Sequence, residues 1–233
     1  MEYSTKEENN EPLTRVWQKW RFSAPQTHLW LIKLWFSAST FVVKIATFAK
    51  PETVSGQLKK TNVMKEIENI ETERTIMRKL TKEDAKDFYT LNLDEEVLKF
   101  TGDKPFKDLQ TAIDFLTNYD QYEKYGVGRL AVIDKSTLKF IGWCGLKYSE
   151  DKNEYDIGFR FYRNYWNKGF ATETAKKCLD FAFSKLKIEK IVGRAMKENI
   201  GSIKVLEKTG MTFKENFDFE GREGVIYELT KNK

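Results

Sequence analysis

The sequence predicts a single α/β domain preceded by an N-terminal extension. From Ile70 onward, stretches with an apolar period of two alternate with stretches that have the helical period of about 3.6 residues. The chain has 233 residues, of which 40% are hydrophobic. That length allows one core of about 150 to 170 residues but not two full domains. We therefore assign residues 1–65 to an extension with its linker and residues 66–233 to the domain.

The first half of the domain is predicted to be rich in helices. A first strand is indicated by the alternation in ERTIMRKL, and a helix by the Thr cap and early acids of TKEDAKDFYTL. A shorter helical piece follows in DEEVLKF. The segment 109–126 has apolar residues at helical spacing and ends at Gly126, a typical C-terminal cap. It is predicted to form one helix.

The period then changes to two. GRLAVIDKSTLKFIGWCGLKYS reads as two antiparallel strands joined near residues 135–137, and NEYDIGFRFY reads as a third strand. Alternation along this third strand places Tyr155, Ile157, Phe159 and Phe161 on one face. Its other face carries Asp156, Gly158 and Arg160.

The segment WNKGFATE, residues 166–173, follows this strand and opens a helix. The helix has an apolar stripe that consists of Ala171, Ala175, Cys178, Leu179, Ala182, Phe183 and Leu186. The first N–H groups of a helix are unpaired and carry about half a positive charge, so a phosphate binds there if no side chain blocks it. Gly169 and Ala171 leave the approach open, and Lys168 adds a positive charge. The alternative is a turn in which Gly169 only relieves backbone strain.

Composition excludes several function classes. The only histidine is His28, in the extension, which excludes histidine-based triads and histidine-rich metal sites in the domain. The two cysteines lack C-x-x-C spacing, so we predict no metal site and a reducing, cytoplasmic location. Residues 1–66 hold net charge +4 of the total +5, which leaves the domain nearly neutral. Nucleic acid is therefore not a predicted partner.

The extension has an unusual composition. It holds four of the six tryptophans, and the longest uncharged piece of its apolar run HLWLIKLWFSASTFVVKIATFA, residues 34–43, has ten residues, against about 20 for a membrane span. Neither a transmembrane helix nor a secretory signal is predicted. A poorly ordered leader, with the functional chain beginning near Met64, is favoured over a segment that contacts a membrane surface or a partner. Residues 50–62 read as the linker.

Three segments carry a family resemblance. Residues 156–175 resemble the acetyl-CoA signature of the GNAT acetyltransferase superfamily. RNYWNKGFATETA is especially similar to the branch of ribosomal-protein N-terminal alanine acetyltransferases, the Rim type. ENIGSIKVLEKTGM and ERTIMRKLTKEDA resemble further blocks of that branch. The resemblance covers about residues 70–230 and implies the GNAT fold, a mixed, mostly antiparallel central sheet flanked by helices. Trp166 and Asn167 depart from the commonest form of the signature.

The resemblance also implies the cofactor contacts. Acetyl-CoA would be the co-substrate. Its pantetheine arm would lie along backbone groups of Phe159, Arg160 and Phe161 as an added strand does. Its pyrophosphate would meet the loop and helix start, formed by Asn167, Lys168, Gly169, Phe170, Ala171 and Thr172. Asn199 would cap the next helix and also touch the cofactor.

Transfer from a thioester requires an unprotonated amine, an oxyanion donor and an acid for the thiolate. An α-amine, with a pKa of about 8, loses its proton more readily than a lysine at about 10.4, so one carboxylate acting through water suffices. Glu220 and Asp156 are equal candidates for that base. By resemblance, Ser202 is the acid that protonates the thiolate. For each of these residues, a role only in solvation or in helix structure remains the alternative.

Three functions stay open on the sequence alone. The first is acetyl-CoA-dependent N-acetylation of a protein N-terminus or of a small amine such as a polyamine or aminoglycoside. The second is a non-catalytic acyl-CoA-binding regulatory module. The third is anchoring through the tryptophan-rich extension. The sequence leaves monomer and homodimer open.

Overall fold

The computed structural model describes residues 69–219 and 221–231. Within this part the strands are β1 (Ile70–Glu71), β2 (Thr75–Lys79), β3 (Arg129–Asp134), β4 (Phe140–Ser149), β5 (Glu154–Phe161), β6 (Lys190–Met196), β7 (Thr212–Phe219) and β8 (Arg222–Thr230). The α-helices are α1 (Ala85–Leu91), α2 (Glu95–Leu98), α3 (Leu109–Thr117), α4 (Gln121–Tyr125), α5 (Phe170–Ser184) and α6 (Ile200–Lys208). The predicted GNAT-type arrangement is confirmed.

The strands form one sheet in the order β1-β2-β3-β4-β5-β6-β8-β7. All neighbouring strands run antiparallel except β5 and β6, which are parallel. The β5–β6 pairing covers only three residue pairs, the last being Ile157 with Gly193. The neighbouring strands β5 and β6, in the middle of the sheet, therefore separate toward their carboxyl ends.

Helices cover both faces of the sheet. Leu130 and Val132 of β3 belong to the core that includes α5 and α6, while Ala131 between them belongs to a second core with α1 and α3. Alternate residues of a strand point to opposite faces, so the two helix pairs lie on opposite sides. We call them the α5 face and the α1 face. Burial of both cores provides the main stabilisation of this architecture.

Some elements differ from the sequence prediction. The helix predicted over residues 109–126 is two helices, because the chain leaves helical geometry at Asn118, whose side chain binds the carbonyl of Asp114. The predicted cap at Gly126 is confirmed, with a left-handed φ of 67°. Neither β1 nor β6 is among the strands that the pattern predicts. On α5, Phe170 and Thr174 are buried whereas Ala171 and Phe183 are only partly buried.

Residues 1–68 lie outside the described part, and so do the predictions made for the extension. Within the described residues, none of the helices has the length and hydropathy that crossing a bilayer requires. The same part of the chain holds no group of three or more His, Cys, Asp or Glu side chains placed to bind a metal ion.

Candidate cofactor and acceptor site

The separation of β5 from β6 exposes backbone groups of β5. The N–H of Tyr162 donates to the carbonyl of Ile141 on the β4 side, at 3.1 Å. Backbone direction alternates along a strand, so Gly158 and Arg160 also face β4 while Phe159 and Phe161 face β6. Beyond Ile157 the described part of β6 no longer pairs with β5. The gap between the two strands is thus lined by main-chain groups of Phe159 and Phe161.

This register corrects one of the predicted contacts. Arg160 pairs with Trp143 of β4 and turns its main-chain groups toward that strand, so it offers none to the gap. At Phe161 the carbonyl already accepts a hydrogen bond from the indole Nε1 of Trp166, at 2.8 Å. The N–H and carbonyl of Phe159 and the N–H of Phe161 are therefore the groups that face the gap.

Two helices begin at the wide end of this gap, because α5 follows β5 and α6 follows β6. Gly169 is the N-cap of α5, with a left-handed φ of 84°, and it provides no side-chain cap. The first intrahelical bond joins the N–H of Glu173 to the carbonyl of Gly169, at 3.0 Å. The N–H groups of Phe170, Ala171 and Thr172 precede that bond and have no partner inside the helix.

The start of α6 is built differently. The Asn199 side chain accepts a hydrogen bond from the N–H of Ser202 at 3.0 Å, so Asn199 caps the helix as predicted. Ser202 is half-buried in the first turn. Of the two helices that begin at the gap, α5 is the one without a side-chain cap. The resemblance places the pyrophosphate at the start of this same helix.

Arg74, just before β2, holds the start of α5. Its Nε and Nη2 atoms contact the Glu173 carboxylate at 2.7 and 2.6 Å, and its Nη1 donates to the carbonyl of Lys168 at 2.9 Å. Its guanidinium carbon lies 4.1 Å from the centroid of the Phe170 ring. Burial raises the pKa of Glu173, but hydrogen bonds from Thr72 and Arg74 outweigh that effect and leave the pKa below its usual value.

Arg74 was not among the residues predicted for the site. It lies in a strand pattern, and alternation there indicates only burial. The signal that could have identified it is Glu173, an acid in the first turn of a helix that is expected to bind an anion. Such a carboxylate would repel the bound anion unless a basic side chain nearby neutralised it.

The α1 face of β5 carries a paired charge network. Asp156 contacts Arg129 at 2.5 Å and Arg194 at 3.7 Å, and Arg194 also binds Glu154. The side chains of these four residues are only 14 to 17% exposed. The Arg129 guanidinium also covers Gly158, where a Cβ would lie 2.7 Å from it. Asp156 therefore lies on β5 as predicted, but its carboxylate is held by two arginines.

A second part of this face surrounds Trp143. The guanidinium carbons of Arg129 and Arg160 each lie 5.3 Å from the centroid of the indole. Arg160 is itself paired with Asp103 at 2.6 Å and with Asn92. Within the described residues, the indole Nε1 of Trp143 is the buried side-chain polar atom without a hydrogen-bond partner. The guanidinium groups around Trp143 are therefore already paired within the protein, and its Nε1 is buried.

The remaining predicted catalytic residue, Glu220, lies outside the described residues. Its described neighbours contact the segment after α2: Arg222 donates to the carbonyl of Lys99 at 3.2 Å, and the Phe219 ring lies against Gly102. On β8 the hydroxyl of Tyr227 donates to Glu207 of α6 at 3.0 Å. Burial and this carboxylate raise the pKa of Tyr227.

A cleft in the described part lies elsewhere. It has a volume of about 950 Å³ and is bordered by Asp87, Asp94, Lys139, Tyr162 and Arg163. The Tyr162 hydroxyl donates to the carbonyl of Asp87 at 2.8 Å, and burial raises the pKa of Tyr162 to about 12. This cleft lies between α1, the β3–β4 turn and the turn after β5. The gap between β5 and β6 does not border it.

The comparisons with known proteins identify the family. The family model of the acetyltransferase (GNAT) domain matches residues 74–212. The chain belongs to the GNAT acetyltransferase family. An uncharacterized N-acetyltransferase of Bacillus licheniformis, p20, is 32% identical to this GNAT protein over 169 residues, which cover 72% of the chain and 90% of p20. The chain is accordingly an acetyl-CoA-dependent N-acetyltransferase.

Solved GNAT structures share its fold. Ribosomal-protein-S5-alanine acetyltransferase from Vibrio fischeri matches with a TM-score of 0.61 and 15% identity, covering 70% of this chain and 96% of that one. A chimera of the spermidine N-acetyltransferase SpeG from Vibrio cholerae matches with a TM-score of 0.56 and 19% identity, covering 68% and 96%. At these identities the likeness shows the fold alone, and the Rim-type branch stays a prediction.

The residues present fit the co-substrate of the GNAT family. An uncapped helix start next to Lys168 suits a diphosphate, and the main-chain groups of Phe159 suit the amides of a pantetheine arm. When bound, acetyl-CoA supplies an already activated acetyl group. The protein has then to bind it, admit the amine and move two protons.

Proposed function

We propose that this GNAT protein acetylates the N-terminal α-amine of a protein. The observation that carries this proposal is the pairing of the carboxylates on the α1 face of β5. Asp156 and Glu154 are each bound by arginine, and so is Asp103 beside Arg160. An acceptor on this face therefore meets balanced charge rather than free negative charge.

This charge arrangement disfavours a polycationic acceptor. A polyamine or aminoglycoside carries several positive charges and is held best by unpaired carboxylates. Arg129, Arg160 and Arg194 pair with Asp156, Asp103 and Glu154, so these carboxylates offer little free negative charge to a polycation. A peptide N-terminus brings one amine and a series of carbonyl oxygens. Its single positive charge does not require a cluster of unpaired carboxylates.

The required basicity supports the same acceptor. An α-amine with a pKa of about 8 loses its proton more readily than a lysine at about 10.4, so a single carboxylate acting through water suffices for it. We assign the base to Asp156 or Glu220, acting through water. The described contacts favour neither of them, because those of Glu220 are outside the described part.

The proposed reaction needs no covalent enzyme intermediate. The amine nitrogen attacks the thioester carbonyl carbon, and the N–H of Phe159 or Phe161 in the gap stabilises the negative oxygen that develops. The carbon–sulfur bond then breaks. The base takes the proton released by the amine, and the hydroxyl of Ser202 gives a proton to the departing thiolate. Transfer of the proton from the base to Ser202 through water then restores the enzyme. Coenzyme A and an acetylated N-terminus are the products.

An acceptor screen tests the proposal. The full chain is incubated with acetyl-CoA and with peptides that begin in alanine, serine or methionine, with spermidine and with an aminoglycoside, and release of the coenzyme A thiol is followed. A peptide with a blocked N-terminus and one internal lysine is the matched control. We expect turnover with at least one free N-terminus and not with the blocked peptide. Turnover confined to spermidine or the aminoglycoside would overturn the assignment.

A further inference from the structure

Glu173 creates an electrostatic conflict at the start of α5. A carboxylate in the first turn stabilises a helix by itself, but here the same turn has to receive a diphosphate. Two like charges close together disfavour each other, so an unpaired Glu173 would weaken binding of the anion. The inference below rests on coenzyme A binding at this helix, which is part of the proposed function.

Arg74 resolves this conflict through several contacts at once. Its main-chain N–H and its Nε bind the two oxygens of Glu173 at 3.0 and 2.7 Å. The same guanidinium holds the carbonyl of Lys168 and lies against the Phe170 ring. It also approaches Gly169, where a Cβ would lie 3.4 Å from Nη2. One residue thus contacts Lys168 in the loop and both Phe170 and Glu173 in the first turn of the helix.

We propose that Arg74 is a positioning residue for the diphosphate site. It neutralises Glu173 and fixes the main chain of Lys168 and Phe170, so that the N–H groups of the first helical turn face outward. Its effect on the cofactor passes through Glu173 and the loop and requires no contact with the phosphates. Removing the charge of Glu173 should therefore compensate for much of the loss of Arg74.

A double-mutant cycle tests this role on the full chain. The dissociation constant for coenzyme A is measured by calorimetry for the wild type, Arg74→Met, Glu173→Gln and the double variant. We expect Arg74→Met to weaken binding about tenfold and Glu173→Gln to change it by less than about threefold. The double variant should recover to within about threefold of the wild type. Thermal unfolding of each variant checks that it is folded.

A second donor separates this role from a general structural one. Acetylpantetheine carries the thioester but no phosphates, so its kcat/KM should be the same in Arg74→Met and in the wild type. In Arg74→Met the KM for acetyl-CoA should rise about tenfold, with little change in kcat. If Arg74→Met does not fold, Arg74→Lys is measured instead, because it keeps the charge without the guanidinium fork. Its affinity for coenzyme A should be lower than that of the wild type, by less than the loss of about tenfold expected for Arg74→Met.

Three results would overturn the inference. One is a double variant that binds as weakly as Arg74→Met, which would show that the effect of Arg74 does not pass through Glu173. Another is an equal loss with both donors, which would indicate a general structural role. The third is unchanged affinity in Arg74→Met. A wild-type chain that binds no coenzyme A would overturn the proposed function as well.

Discussion

Gly169 combines a backbone requirement with a functional one. Its φ of 84° is left-handed, where a β-branched residue is strained, and it stands at the uncapped start of α5. We expect Gly169→Val to weaken coenzyme A binding by about tenfold or more, because strain would move the loop and the side chain would cover the first N–H groups. Calorimetric titration with coenzyme A measures this.

Gly210 provides the matched control for that substitution. It has a similar φ of 88°, follows α6 and has open space where its Cβ would lie. Gly210→Val should therefore lower thermal stability as Gly169→Val does but leave the affinity for coenzyme A unchanged. Equal losses of affinity in both variants would show that strain alone is responsible and would remove the loop assignment.

Asn199 is predicted to have two roles that substitution can separate. Asn199→Ala should cost about 1 kcal/mol of folding stability, because the N–H of Ser202 loses its acceptor, whereas Asn199→Asp keeps the cap. If the amide also touches the cofactor, both variants should bind coenzyme A more weakly. Alanine removes the amide, and aspartate replaces it with a negative charge. Urea unfolding and calorimetry measure the two effects. Normal affinity in Asn199→Asp would leave Asn199 with the cap alone.

At the scale of elements, the sequence predicts the individual strands and helices better than it predicts which of them contact each other. The alternation in β5 and the helix behind Gly169 are readable because each depends on residues close in sequence. The contact between Arg129 and Asp156 joins residues 27 positions apart on non-adjacent strands. No local pattern indicates it. The predicted base was therefore placed on the right strand without the arginines that hold its carboxylate.

The gap beside β5 offers a test at the same scale. The N–H of Phe159 faces the gap and that of Arg160 faces β4, so proline removes a different donor at each position. Phe159→Pro should weaken coenzyme A binding about tenfold relative to Phe159→Ala, because a donor to the pantetheine arm is lost. Arg160→Pro should instead lower the melting temperature, because a ladder bond to β4 is lost.

The two measurements are calorimetry and thermal unfolding. An affinity for coenzyme A in Phe159→Pro that equals that of Phe159→Ala would contradict the assignment of the gap to the pantetheine arm.

At the scale of the whole molecule, the sequence predicted the GNAT fold because three separated segments resemble the family, and the boundary near residue 65 because composition changes there. The family model and the sheet topology confirm the fold. The boundary stays a prediction, since the residues before 69 are outside the described part. The acceptor, in contrast, depends on side chains from β3 to β6 that only the folded chain brings together.

A truncated chain tests the boundary. Residues 66–233 should fold, bind coenzyme A and transfer acetyl groups with kcat/KM within about threefold of the full chain, because the family model matches residues 74–212, all within that segment. Co-sedimentation of both forms with anionic vesicles provides the control for the extension. Loss of coenzyme A binding on truncation would show that the extension is part of the site.

The central claim is that the free N–H groups at the start of α5 and along β5 bind coenzyme A. A map of backbone amide chemical shifts during titration with coenzyme A tests it most directly. We predict the largest shifts at Phe159, Phe161 and residues 168–172. Shifts concentrated at the cleft beside Asp87 and Tyr162, with those amides unchanged, would contradict it.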